Sequence, residues 1–181
     1  MAGVEAIQLG SHSTDEIGEG QPKQEGLSMV VFSGELDKVL AAFIIANGAA
    51  AMDLPVTMFF TFWGLNVLRK DGPVHVQNPK TTTERMFGAM MPRGPNGLKL
   101  SHLNMAGLGT RMIKKEMEKK HVLDLPHLVK SAREQGVRLI ACTMSMDLMG
   151  IRKEELLPGI DYAGVGSFID SADKSRMTLF I

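Results

Sequence analysis

Residues 39–68 read VLAAFIIANGAAAMDLPVTMFFTFWGLNVL and carry one charge, Asp53. Taken whole, the stretch is apolar and long enough for a membrane span, which needs about 20 unbroken apolar residues. Asp53 and Pro55 interrupt it in the middle. Each half then has an ordinary reading. In the first, Val39, Leu40, Phe43 and Ile44 continue a helical spacing begun at Leu36. Ala41, Ala42, Ala46, Ala49 and Ala50 keep the other faces small enough to lie close to a sheet. In the second, PVTMFFTFW (residues 55–63) is rich in β-branched and aromatic residues and predicts a strand. A strand that is apolar on both faces belongs to a parallel sheet covered by helices on both sides. We therefore expect a buried helix and a buried strand, and no membrane association.

The chain on either side extends this pattern. SMVVFS (residues 28–33), ending at Gly34, predicts the first buried strand. Glu35 and Asp37 follow, where a helix N-terminus favours acidic groups. Residues 1–27 are polar, lack periodicity and read as a flexible tail. Residues 71–110 hold ten Gly and Pro residues and only one short helical segment, near residues 83–91. A connection this long exceeds what a strand–helix link needs, so it reads as an inserted lid, binding loop or subunit contact. A helix over residues 110–121, capped by Thr110, and another over 125–135, between the N-cap Asp124 and Gly136, come next. VRLIACT (residues 137–143) predicts the third strand. A short helix at 152–157, a strand at 161–165, a capping box from Ser167 to Asp170 and a last strand at 176–181 complete the chain. The element order predicts one α/β domain over residues 28–181, with right-handed crossovers in an open, mainly parallel five-stranded sheet.

Composition narrows the function. Lys and Arg number 20, as do Asp and Glu, so no net field attracts nucleic acid or acidic lipid. Neither a GxGxxG nor a GxxxxGK[ST] motif occurs, and no cofactor is expected. The histidines, His12, His75, His102, His121 and His127, form no HExxH or i,i+4 pair, and no metal site is expected. A single cysteine excludes an intrachain disulfide and suits a reducing compartment. With no basic-then-apolar leader pattern at the start, the expected location is the cytoplasm.

That cysteine, Cys142, lies in LIACTMSMDLMGI (residues 139–151), at the carboxyl end of the third strand and before a helix starting near Ser145. Open parallel sheets bind ligands beyond their carboxyl ends, where strand order reverses. In a 2-1-3-4-5 order the reversal lies between strands 1 and 3, which would set Cys142 beside Ser33 and Gly34. The amides and dipole of a helix N-terminus favour a thiolate, the nucleophilic form of cysteine. Thr143 and Ser145 flank the position. Asp147 complements the helix dipole or orients a partner, although its charge opposes a nearby thiolate. Met144, Met146 and Met149 form a soft wall around a sulfur species or simply fill space. His102, with Asn104 and Met105 in the insertion, is a candidate lid over the thiol. Two readings of Cys142 follow: a single-thiol group carrier, or a buried structural cysteine.

Three stretches carry a family resemblance: GVRLIACTMSMDLMGI (residues 136–151), ELDKVLAAFIIANGAAAMDLPVTMFFTFWGLNVLRK (residues 35–70) and LSHLNMAGLGTRMIKKEM (residues 100–117). They resemble the DsrE/DsrF/DsrH-like sulfur-transfer proteins, in particular their larger DsrE branch, over residues 28–181. The resemblance implies a flavodoxin-like three-layer α/β sandwich and a homo-oligomer, with a trimer or a multiple of it preferred. It also implies a cysteine carrying persulfide sulfur, exchanged with TusA-like or rhodanese-like partners, and that role falls on Cys142. The expected function is an intracellular sulfur relay. The alternative is a non-catalytic module of the same fold that binds a small ligand or a protein.

Overall fold

The structure is a computed structural model and describes residues 24–181. Strand β1 (Gln24–Val31) leads to helix α1 (Leu36–Ala50), strand β2 (Val56–Phe60) and a 3-10 helix over Phe62–Leu68. The insertion carries α2 (Thr82–Met90), the single turn α3 (Gly94–Gly97) and a 3-10 turn at Met105–Gly107, and runs into α4 (Leu108–Lys119). Then come α5 (Leu125–Glu134), β3 (Arg138–Cys142), α6 (Thr143–Met149) and a 3-10 turn at Lys153–Glu155. Strand β4 (Asp161–Ala163), α7 (Val165–Lys174) and β5 (Ser175–Phe180) close the chain.

All five strands are parallel, in the order β4-β3-β2-β1-β5. The α/β class and the five-strand sheet match the expectation; the order 2-1-3-4-5 does not. The chain steps from β1 to β4 in one direction and then returns past β1 to add β5. Right-handed crossovers require the helices of the two directions to lie on opposite faces. Accordingly, α1 and α5 pack together over Met29, Val31, Met58, Phe60, Leu139 and Ala141. Phe59, Ile140 and Cys142 point the other way, toward Phe168 of α7. This two-sided burial is why neither β2 nor β3 alternates apolar with polar residues. No helix among the described residues is long and apolar enough to cross a membrane.

Several local expectations shift. The tail expected over residues 1–27 gives way to β1 at Gln24, and residues 1–23 lie outside the described residues. β2 ends at Phe60 rather than Trp63. Phe62 turns with φ +45°, and the Gly64 amide donates to the Phe32 carbonyl at 2.8 Å. A Cβ on Gly64 would meet the Val31 carbonyl oxygen at 2.1 Å, so only glycine lets the chain fold back on β1 here. Thr110 lies inside α4 and does not cap it. Its hydroxyl donates to Asn104 Oδ1 at 2.8 Å and accepts from the Leu100 amide at 3.1 Å, tying down the incoming loop. Asp124 does cap α5, accepting from the His127 amide. The helix expected at 152–157 is one 3-10 turn, and Ser167 lies inside α7, whose N-cap is Gly164.

A buried ion cluster pins the insertion to the domain. Glu155 receives Arg69 Nη2 at 3.2 Å and Lys80 Nζ at 2.5 Å, with Arg69 and Glu155 almost fully buried. Burial opposes ionisation of the Glu155 carboxyl. The Arg152 amide and the two cations outweigh it and hold the carboxyl below the ordinary glutamate range.

Candidate functional site

The pleat decides where the thiol points. On β3, Leu139 and Ala141 face the α1–α5 layer, so Ile140 and Cys142 face α7. Cys142 is 3% exposed. Its neighbours in the packing are Phe59 and Ile140, with Ala163 and Phe168 set over them. The rings of Phe59 and Phe168 lie 5.6 Å apart. Yet α7 has no fully buried residue, and Phe168 is itself only partly buried. The thiol is therefore closed off by a thin cover that belongs to a surface helix.

The backbone changes from strand to helix at the thiol. Cys142 is the N-cap of α6, in extended conformation, and Thr143 is the first helical residue. Gly150, at φ +64°, ends the helix one residue after Met149. A Cβ on Gly150 would stand 2.6 Å from the Glu84 side chain, because α2 docks against this corner. The dock is held by Arg152 Nη2, which donates to Glu84 Oε1 at 2.9 Å. Along α6, Met146 and Met149 are buried while Met144 and Leu148 are exposed. The methionines thus divide between core filler and a surface flanking the thiol's corner.

The structure gathers only part of the expected site. Ser145 is fully buried, and its Oγ lies 2.7 Å from Thr61 Oγ1, which fixes α6 to the end of β2. Thr143 is partly buried at the start of α6. Asp147 is exposed on that helix and lies in its second turn, not the first as expected, because α6 starts at Thr143 and not near Ser145. Ser33 and Gly34 follow β1, which β2 separates from β3, so they do not stand beside Cys142. The Ser33 hydroxyl donates to Glu35 Oε2 at 3.1 Å. The lid candidates lie on the other side of the sheet. Their loop is anchored where the Asp37 carboxylate of α1 accepts from Ser101 N at 2.9 Å and Ser101 Oγ at 2.6 Å. His102 and Met105 are exposed there, and Asn104 accepts the Thr110 hydroxyl. Phe168, packed over the cluster of Phe59, Ile140 and Cys142, has no local signal in the sequence that would single it out. Thr61 was hidden because residues 61–63 read as strand.

Among the described residues no three His, Cys, Asp or Glu side chains converge as metal ligands. Cys142 lines neither the cavity between α1, α4 and α5 nor the one at the carboxyl ends of β1 and β5.

These features define a parallel α/β protein with one thiol where a strand passes into a helix. The sequence profile of the DsrE/DsrF/DrsH-like family matches residues 23–180, and the chain belongs to that family. It is 53% identical to the Bacillus subtilis (strain 168) protein YrkE over 154 residues, which cover 85% of this chain and 95% of YrkE. It is 34% identical over 163 residues to the sulfur carrier protein DsrE2 of Allochromatium vinosum, covering 88% of this chain and 99% of that protein. Two solved structures share the fold. The ychN protein of E. coli superposes with a TM-score of 0.51 at 9% identity, over 87% of this chain and 100% of that one. MTH1491 of Methanobacterium thermoautotrophicum does so with a TM-score of 0.50 at 15% identity, over 85% and 99%.

Proposed function

We propose that this protein is a sulfur-relay protein that carries a persulfide on Cys142. Family membership and the 34% identity to a sulfur carrier protein support a relay role. The observation that carries the assignment to Cys142 is that it is the chain's one cysteine, at the junction of β3 and α6. In the transfer step the Cys142 sulfur attacks the terminal sulfur of a donor persulfide. The donor's S–S bond breaks, a new S–S bond forms on Cys142, and the proton leaves with the donor thiol. No net oxidation occurs, so no cofactor is required.

Burial at 3% exposure favours a relay in which α7 moves before the thiol reacts. In this reading α7 opens locally to admit a small persulfide, and a docked partner holds Phe168 aside for the transfer. The same burial is what the rival reading, a structural cysteine in a binding module, requires. We assign the relay to the cytoplasm, with TusA-like or rhodanese-like proteins as donor and acceptor. We further infer a homo-oligomer, a trimer or a multiple of it, with Met86, Phe87 and Met90 of the insertion as exposed apolar contacts between subunits. The test is intact-mass spectrometry after incubation with glutathione persulfide, beside Cys142→Ser. One added sulfur atom on the native chain, absent from the variant and removed by reductant, is expected. No adduct on a thiol that an alkylating reagent does reach would leave the structural reading in its place.

A further inference from the structure

Helix α7 is fastened at one end only. Near its C-terminus, Ser175 Oγ donates to the Ser171 carbonyl at 2.8 Å and lies 2.8 Å from Oγ of the buried Ser28 on β1. Lys174 pairs with Asp170 one turn earlier. The N-terminal end has no such tie. Its N-cap, Gly164, brings no capping side chain. Among the described residues, no side chain from 164 to 169 makes a hydrogen bond or ion pair. The first amides of the helix therefore lack the side-chain acceptor that usually closes such an end.

Two glycines bracket this loose end. Gly164 and Gly166 stand on either side of Val165, the first helical residue. Neither has a positive φ, and a Cβ on either would meet nothing within 4 Å. Sterically, the closed structure has no need of glycine here. Gly64 and Gly150 differ, since a Cβ on either would collide with its surroundings. Glycine still weakens a helix, because it gains the most freedom when the helix unwinds.

The loose end is the end over the thiol. Cys142 is paired in register with Ala163, and the chain enters α7 two residues later. Phe168 lies in the first turn of α7 and packs on the cluster of Phe59, Ile140 and Cys142. The helix packs mainly on β1 and β5, which lie beyond β2 from the thiol. Unwinding one turn thus uncovers Cys142 without lifting the rest.

We infer that the first turn of α7 is a hinged gate. Residues 164–166 unwind, Phe168 swings off the cluster, and Ser175 keeps the C-terminal half seated on β1. The role of this gate in sulfur transfer rests on the function proposed above; the movement itself does not.

The test compares two variants with the native protein. Where reclosing outpaces reaction, the rate at the thiol follows the population of the open form. Gly166→Ala keeps the closed structure and takes freedom from the open one. It should slow iodoacetamide alkylation of Cys142, read by intact mass, about three- to fivefold, the ordinary helical difference between the two residues. Loading from glutathione persulfide should slow by the same factor. Ser175→Ala removes the C-terminal fastening. It should lower the thermal midpoint yet leave the alkylation rate within about twofold of native, because the open form keeps that end seated. An unchanged rate in Gly166→Ala, or a native thiol that iodoacetamide never reaches, would overturn the gate. Acceleration beyond about twofold in Ser175→Ala would overturn it as well, since the helix would then lift as a whole. If alkylation follows the expected pattern while no variant takes up sulfur, the gate stands and the relay alone is refuted.

Discussion

Replacing Phe168 by alanine should expose Cys142 to reagents without unfolding the protein. A fully buried Phe→Ala change costs about 3–5 kcal/mol. Phe168 is only partly buried, so about half that, roughly 2 kcal/mol, is the appropriate loss of packing. If alkylation passes through a locally opened state, the whole loss appears in the opening equilibrium, and about 1.4 kcal/mol corresponds to tenfold. The iodoacetamide rate, followed by intact mass, should therefore rise roughly 10- to 50-fold. Ile169→Ala on the same helix removes a side chain that is 59% exposed and should leave the rate within about twofold. Equal rates for Phe168→Ala and the native protein would refute the idea that α7 covers the thiol. Equal acceleration by Ile169→Ala would reduce the effect to general loosening of the helix.

The remaining predictions concern the frame around the site. Glu155→Gln leaves Arg69 without its buried counter-charge and should cost about 3–5 kcal/mol in urea denaturation at neutral pH. In the native protein the folded Glu155 carboxyl titrates below its ordinary value of about 4.5. The unfolded chain then binds the proton first, so this stabilisation is complete above about pH 4.5 and is lost as pH falls through the folded value. The acid slope of stability should therefore be shallower in Glu155→Gln. Gly150→Ala places a Cβ against Glu84 at a positive φ, and should lower the thermal midpoint through a loss of about 1–3 kcal/mol. Ser145→Ala strands the Thr61 hydroxyl, and should destabilise by about 1–2 kcal/mol in the same assay.

Much of the architecture was legible because local chemistry and tertiary environment agree. Residues 39–68 split at Asp53 and Pro55 into a helix and a strand, and their two-sided apolar character announced a parallel sheet. Asp124 capped its helix because a cap depends on the next three residues alone. Strand order was different in kind. Nothing in the strands themselves says that β5 returns beside β1, and that return moves the switch point away from Cys142. β2, set between β1 and β3, parts Ser33 and Gly34 from the thiol and leaves them at the carboxyl ends of β1 and β5. Phe168 was illegible for the same reason: a phenylalanine on a short surface helix gains its meaning only from the strand beneath it. Asn66 lay inside an apolar run without a local signal, and its burial beside Arg69 depends on an ion cluster drawn from residues 69, 80 and 155.

The central claim is that sulfur resides on Cys142 and moves on. The most direct measurement is peptide mapping of the protein loaded with glutathione persulfide, before and after a chase with an acceptor thiol. Trypsin releases residues 139–152, which contain the thiol, as one peptide. The relay predicts one extra sulfur atom on this peptide at Cys142, lost during the chase as the acceptor gains it. An unmodified peptide, or an added sulfur that the acceptor never removes, would contradict it.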